Sequence, residues 1–277
     1  MIKTVAVTGG SGKLGLRLIP ELQKHGYNVI SLDNRLSSDV PAYQIKVDLN
    51  DFGQVIGALQ GVDAIIHLAA IPAPRSYTNS YIFANNAAST YHILEAADQL
   101  GITNVVIGSS ESSYGFAWAP KPFSPQYVPV DENHPQLPQE CYGLSKIVNE
   151  LTGAMFNRKS GMSVTSLRFS MITTAEDYAT VDDNHPDAYK HILWSYIDIR
   201  DAVNACIAAL TCEHGKAVSL NITSSDTLSS WDTQRLLNHY YADVTDLRAP
   251  FTGREALVCN RLAQEMLNWQ PRYSWMS

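Results

Sequence analysis

The sequence predicts an α/β fold, a Rossmann-type doubly wound parallel sheet carrying a small C-terminal substrate lobe. Three observations predict it. Short β-branched runs alternate with longer helical patterns through the first 168 residues, a rhythm that right-handed crossovers turn into a parallel sheet. A glycine-rich stretch, Thr8-Gly9-Gly10-Ser11-Gly12-Lys13-Leu14-Gly15, follows the first apolar run, Val5-Ala6-Val7, and opens a helical pattern. A chain of 277 residues that is 45% hydrophobic can bury a large core around such a sheet.

In chain order the pattern gives a strand over 3–7, a helix over 13–25, strands over 28–32 and 43–47, a helix over 51–59 and a strand over 63–68. A helix over 79–100, a strand over 104–107, a helix over 142–158 and a strand over 163–168 complete six strands of a doubly wound sheet. The segment from Ala117 to Cys141 carries prolines at 120, 122, 125, 129, 135 and 138. It therefore reads as a stiff loop, since proline breaks helices and central strands. Beyond it, a helix near 199–210, a strand over 217–222 and helices near 229–241 and 259–268 are assigned to the smaller lobe. The expected organisation is a dinucleotide-binding domain over 1–170 and a mixed lobe over 171–277, interleaved and without a clear linker.

Charge and cysteine usage narrow the function classes. A formal net charge of −7 and the lack of a Lys/Arg cluster leave no cationic surface for nucleic acid. No apolar run approaches the roughly 20 residues that span a bilayer. The strand pattern starts too early for a signal peptide, so the expected compartment is the cytoplasm. Cys141, Cys206, Cys212 and Cys259 show no C-x-x-C spacing and read as reduced thiols, with neither a zinc site nor a disulfide framework.

In a βα turn one glycine permits the tight bend, a second lets backbone N–H groups approach a diphosphate, and a third allows the helix to pack closely. Gly9, Gly12 and Gly15 fit these roles, and Ser11, Lys13 and Leu14 complete the turn. A nucleoside-triphosphate P-loop fails, because Val7 stands at its first glycine and Leu14 at the magnesium-binding hydroxyl. Asp33, at the end of the second strand, can accept both ribose hydroxyls of NAD and repels the 2′-phosphate of NADP. NAD is thus preferred over NADP, although Arg35 nearby is able to accommodate a phosphate. Asp48 and Leu49, after the third strand, are candidates to meet the adenine; capping of the helix that begins near 51 is the other reading of Asp48.

Tyr142 and Lys146 stand at helical spacing, which makes them neighbours on one face. A nearby ammonium favours the phenolate and is expected to lower the tyrosine pKa from about 10, giving an acid and base usable near neutrality. Ser110 lies just past the fifth strand, at the carboxyl edge where such sheets bind ligands, and its hydroxyl is placed to hold a substrate oxygen.

An ordered series of segments carries a family resemblance: Thr8 to Gly15, Asp48-Leu49, His67-Leu68-Ala69-Ala70, Asn86 with Thr90, Ser109-Ser110 to Tyr114-Gly115, Tyr142 to Lys146, Leu167-Arg168 and Tyr196 to Asp201. The chain resembles the extended short-chain dehydrogenase/reductase superfamily, in its NAD-dependent epimerase/dehydratase group. That resemblance implies a catalytic triad of Ser110, Tyr142 and Lys146, with Lys146 also on the nicotinamide ribose and Leu68, Ala69 and Ala70 lining the cofactor. His67 then reads as a packed strand residue. The resemblance also implies a homodimer through the helices over 79–100 and 142–158.

Departures from the family pattern bear on the reaction. Glu111 and Ser112 replace the acid and base pair that follows the catalytic hydroxyl in sugar-nucleotide dehydratases, which disfavours dehydration. Met171 stands where nucleotide-sugar enzymes of the group carry an asparagine, and only residues 172–195 separate it from Tyr196. That is little chain for a nucleotide pocket, and the compact layout is similar to uronate dehydrogenases. The expected activity is hydride transfer between NAD and a secondary alcohol or carbonyl of a small substrate, with a sugar or sugar acid as candidates. Arg75, in the loop after the fourth strand, is a candidate partner for a substrate carboxylate, and Glu111 and Ser112 are candidate substrate contacts. Trp118, Tyr127, Trp194 and Tyr196 are read as pocket walls or core. A nucleotide-sugar 4-epimerase and a non-catalytic dinucleotide-binding protein are the alternatives.

Overall fold

The computed structural model describes residues 2–182, 185–212 and 214–276. Its main sheet has seven parallel strands in the order β3-β2-β1-β4-β5-β6-β9. They are β1 (Thr4–Thr8), β2 (Asn28–Asp33), β3 (Tyr43–Lys46), β4 (Ala64–His67), β5 (Asn104–Ser110), β6 (Ser163–Phe169) and β9 (Ala217–Ile222). The chain winds outward from β1 to β3, then returns to β4 on the other side of β1. The carboxyl ends of β1 and β4 are the switch point where this class of sheet opens a crevice.

Both faces of the sheet are covered, which explains the uninterrupted burial of β4 and β6. One face carries α1 (Gly15–Lys24), α6 (Ile199–Thr211) and α8 (Arg261–Leu267), packed through residues such as Leu18, Leu22, Ala202 and Leu210. The other carries α2 (Phe52–Ala58), α3 (Asn79–Leu100) and α4 (Cys141–Ser160), packed through Val55, Ile93, Leu94 and Phe156. Among the described residues no helix is long and apolar enough to cross a membrane.

The remaining elements form a lobe over the carboxyl edge. A parallel pair, β7 (Met171–Thr173) and β8 (Tyr196–Asp198), is joined by α5 (Ala175–Tyr178) and a 3-10 segment, Pro186–Ile192. With α7 (Thr233–Tyr240), these surround a third cluster that includes Tyr114, Val130, Trp194, Tyr196 and Leu236. The proline-rich loop is pinned onto it, because Val128 N–H donates to Asp246 O at 3.1 Å and Val130 N–H to Leu257 O at 2.8 Å.

Five elements depart from the sequence expectation; α6 and α8, assigned to the lobe, cover one face of the main sheet because their apolar residues pack on its core. The strand over 217–222, assigned to the lobe, is the seventh strand of the main sheet, paired with β6 from Val164↔Ala217 to Phe169↔Ile222. Its buried end, Leu220 to Ile222, is covered on both faces there. The fifth strand runs on to Ser110, because its pairing with β6 continues to Ser110↔Phe169. The helix expected from 229 starts only at Thr233, since Thr227 and Thr233 N–H groups bond Arg254 O and Gly253 O, each at 2.8 Å, instead of building a helical turn.

The placement of β9 predicts that Leu220→Ala, at a fully buried position, destabilises the protein by about 2–5 kcal/mol. Chemical denaturation should show this as a shifted single transition; a separate early transition would mean that β9 is not integral to the main core.

Candidate active site

The glycine turn sits at the switch point with little steric freedom. Gly9 adopts φ +70°, and a Cβ there would lie 2.8 Å from Ala69 N, the backbone that follows β4. At Gly15 a Cβ would lie 2.4 Å from Gly9 O, so the start of α1 packs directly on the turn. Gly12 is different: its nearest neighbour is Gly9 O at 3.2 Å, and its open side faces the cleft. Leu14 stands at the N-cap of α1 with no side-chain cap; Leu16 and Arg17 N–H groups are taken up by Gly12 O and Leu14 O, at 3.0 and 3.1 Å, so a ligand there meets the positive end of the helix dipole. This cradle fits the diphosphate of a dinucleotide. Gly10 was not singled out by the motif, yet a Cβ there would fall 2.1 Å from Ser31 Oγ.

Asp33 ends β2 beside this turn. Its Oδ2 accepts from Ser11 N–H at 3.0 Å and from the Ser11 hydroxyl at 2.7 Å, and Arg35 Nε donates to the same hydroxyl oxygen at 3.1 Å. Asp48 does not cap α2. Asp51 does so by accepting from Gln54 N–H at 3.1 Å, while Asp48 accepts from Asn50 N–H at 2.9 Å and shapes the preceding turn. His67 is a packed strand residue, bonded to Thr8 Oγ1 at 2.7 Å and Thr90 Oγ1 at 3.1 Å, and burial pushes its pKa down to about 3.

A cleft of about 570 Å³ runs from the glycine turn to the lobe and brings most of the expected residues together. Gly9, Gly12, Lys13, Leu14 and Gly15 line one end with Leu68 and Ala70; Ser110, Glu111, Ser112, Tyr142 and Lys146 line the middle. Ser11, Asp33, Asp48, Leu49 and Ala69 lie outside this lining. So does Arg75, whose guanidinium stacks 4.8 Å from the centroid of Trp118, and it is Trp118 that reaches the cleft. Tyr127, Trp194 and Tyr196 are buried in the lobe core. Met171 closes the far end together with Ala188, Tyr189, His191 and Ile192, four residues that no sequence signal marks.

Helix α4 aims Tyr142 and Lys146 into the cleft. Glu140 caps it, accepting from Tyr142 N–H and Gly143 N–H, each at 2.6 Å. Lys146 Nζ donates to Gly108 O at 2.7 Å and lies 5.4 Å from the Tyr142 ring centroid. The expectation that Lys146 lowers the Tyr142 pKa is not met. Burial pushes the phenol up to about 12, with the Ser110 hydroxyl opposing it and Glu140 and Glu111 adding to it. The ammonium is turned to a carbonyl, and burial pushes it down to about 8 against the pull of Glu150. Ser110 Oγ accepts from Ser112 N–H at 3.1 Å.

A buried ion pair underlies this set. Arg168 holds Glu150 through two bonds, Nε to Oε1 at 2.9 Å and Nη2 to Oε2 at 2.7 Å. Ser109 Oγ donates to Glu150 Oε1 at 2.6 Å, and Arg168 Nη1 donates to Tyr114 Oη at 2.9 Å. Asn86 bridges the loop after β4 to α4, accepting from Ile71 N–H at 2.8 Å and donating to Ser145 Oγ at 3.3 Å. Among the described residues no group of His, Cys, Asp and Glu side chains could hold a metal ion.

The profile of the NAD dependent epimerase/dehydratase family matches residues 5–222. The chain belongs to this family. A UDP-glucose 4-epimerase from Lacticaseibacillus casei is 30% identical over 67% of the chain, and the match spans 57% of that relative. The chain thus spans little more than half the length of the first curated relatives it matches. The L-arabinose 1-dehydrogenase (NAD(P)(+)) of Haloferax volcanii is 26% identical over 85% of this chain and 94% of its own. In fold, a short-chain dehydrogenase/reductase superfamily protein from Agrobacterium tumefaciens with bound NAD is similar, with TM-score 0.76 and 22% identity over 99% of this chain and 94% of that one.

Two outcomes follow from the buried charges. Glu150→Ala leaves Arg168 buried without its partner and should cost about 3–5 kcal/mol in denaturant unfolding. Glu111, pushed up to about 8 by burial, keeps a proton in the fold that the unfolded chain releases near 4.5. Its contribution to stability is full below that value and is lost as pH rises through about 8. Glu111→Gln should therefore gain on the parent by about 2 kcal/mol or more between pH 5 and pH 9, read from melts at both pH values.

Proposed function

We propose that this protein is an NAD-dependent oxidoreductase that transfers a hydride between the nicotinamide and a secondary alcohol or carbonyl of a small substrate. The observation that carries this reading is the single cleft in which the glycine turn and Ser110, Tyr142 and Lys146 meet, closed at the substrate end by residues 188–192 of the lobe. The lobe brings only the short segment between Met171 and Tyr196 to that end, beside Ala117 and Trp118, which favours a small substrate over a nucleotide sugar.

In this reading the uncapped start of α1 and Gly12 hold the diphosphate, Asp33 holds the adenosine ribose and favours NAD over NADP, and Lys146 holds the nicotinamide ribose. Bound NAD supplies the hydride acceptor. Ser110 fixes the substrate oxygen, and Tyr142 takes the hydroxyl proton at its phenolic oxygen during oxidation and returns it during reduction. The Tyr142 phenol, held up by burial, would come down toward neutrality beside the positive charge that a bound oxidised nicotinamide would supply. A homodimer through α3 and α4 belongs to the same reading, supported by the exposed apolar side chains Tyr81, Tyr91, Leu144 and Leu151 on those helices.

A second reading, a nucleotide-sugar 4-epimerase, is favoured by the Lacticaseibacillus casei relative. Absorbance of reduced cofactor separates the two when NAD or NADP is offered with a panel of free sugars, uronic acids and other secondary alcohols. Net NAD reduction that Tyr142→Phe lowers by about 100-fold or more is the expected result. Cofactor that co-purifies with the protein, with no net reduction on any member, would favour the epimerase.

A further inference from the structure

The substrate end of the cleft holds a carboxyl group that no cation balances among the described residues. Glu111 directly follows Ser110, is only 9% exposed, and lines the cleft beside Ser112, Trp118, His191 and Ile192. Among the described residues the cations near this cleft are turned elsewhere; Lys190, next to His191, lies 5.7 Å from the centroid of the Tyr240 ring. Lys146 gives its ammonium to Gly108 O at 2.7 Å; Lys13 gives its own, at the mouth, to Ile172 O and Asp177 Oδ2, both at 2.8 Å; Arg75 lies on the ring of Trp118. His191 is held below its ordinary pKa by burial and by Lys190, and so is neutral.

Glu111 also has a hydroxyl partner from the lobe. The Ser195 Oγ bonds Glu111 Oε2 and lies 2.7 Å from Ile192 O. A serine has one proton, so when it goes to the Ile192 carbonyl the bond to Glu111 needs the carboxyl to be the donor. The contact is built with care. Leu193 and Trp194, both buried, take left-handed φ values of +54° and +52° just before Ser195, a conformation that costs of order 1–3 kcal/mol per residue. Burial pushes the carboxyl up to about 8 against the Ser195 and Ser170 hydroxyls and the Met171 N–H, which favour its charged form, so it is neutral below that value.

We propose that Glu111 is the specificity determinant of this site and that the cleft takes an uncharged polyhydroxyl substrate, an aldose or polyol, in preference to a sugar acid. This rests on the oxidoreductase reading above and names its substrate class. A neutral carboxyl whose proton is given to Ser195 Oγ presents an uncharged acceptor oxygen, which suits a sugar hydroxyl. A substrate carboxylate at the same place gives up its hydration to buried Glu111 and Ser112 and half-buried Trp118 and Ile192 without gaining a cation.

The test uses two sugar pairs, D-glucose with D-glucuronate and D-galactose with D-galacturonate, at saturating NAD. The expected result is a kcat/KM for the better neutral sugar about 100-fold or more above that for its acid. Glu111→Ala should cut that ratio at least about tenfold, through KM for the neutral sugar and not through KM for NAD. Glu111→Gln, which keeps a donor and an acceptor, should hold most of the ratio and shows that a loss in the alanine variant is not misfolding. Equal or better use of the acids, or a ratio untouched by Glu111→Ala, overturns the proposal. If none of the four sugars is oxidised, the oxidoreductase reading fails for them, and calorimetric binding to the NAD complex of Tyr142→Phe decides the selectivity. A neutral preference there that Glu111→Ala erases supports it; no preference, or no binding of either class, overturns it.

Discussion

The contact between Glu150 and Arg168 is the one on which the site's geometry depends. The two side chains are 8% and 6% exposed, and they join α4, two strands and the turn after β5 at one buried point. Glu150 lies on α4 one turn beyond Lys146, Arg168 on β6, Ser109 on β5, and Tyr114 on the 3-10 turn that carries Glu111 and Ser112. Tyr114 Oη extends the network to Asn221 on β9 at 2.8 Å. Taking two charges out of water offsets much of what their attraction returns. The pair therefore does more to select one arrangement of α4 against the sheet than to add stability, and Lys146 is aimed by that arrangement.

Desolvation is the common electrostatic theme around the cleft. Tyr142 is pushed up, Lys146 down and Glu111 up, each toward its uncharged form and each for the same reason. In such surroundings a single charge acts at short range with little screening. A cation beside the phenol thus acts far more strongly than it does on an exposed tyrosine. Spacing along a helix says that Tyr142 and Lys146 are neighbours; it does not say how dry their neighbourhood is, and dryness decides the sign of the shift.

Those parts of the fold that obey short-range rules were legible in the sequence. The glycine turn was, because a backbone that bends at Gly9 and touches itself at Gly15 excludes other residues. The alternation of strand and helix was, because burial on both faces leaves continuous apolar runs. Less visible was anything decided by partners distant in the chain. Nothing local marks β9 as a member of the main sheet, since its place depends on β6. Tyr189, His191 and Ile192 reach the cleft from a 3-10 segment with no readable period. Arg75 looked available for a ligand until the ring of Trp118, far along the chain, occupied its guanidinium.

The position of β9 has a consequence for how the protein is made. Strand β6 is buried along its whole length, and its outer edge is satisfied by residues 217–222, which follow it in the chain only after the lobe segment and α6. While those residues are still being synthesised, the edge of β6 has unpaired backbone groups, the kind of surface that captures other strands. A chain that stops within α6 would keep the glycine turn and Tyr142 but leave that edge open.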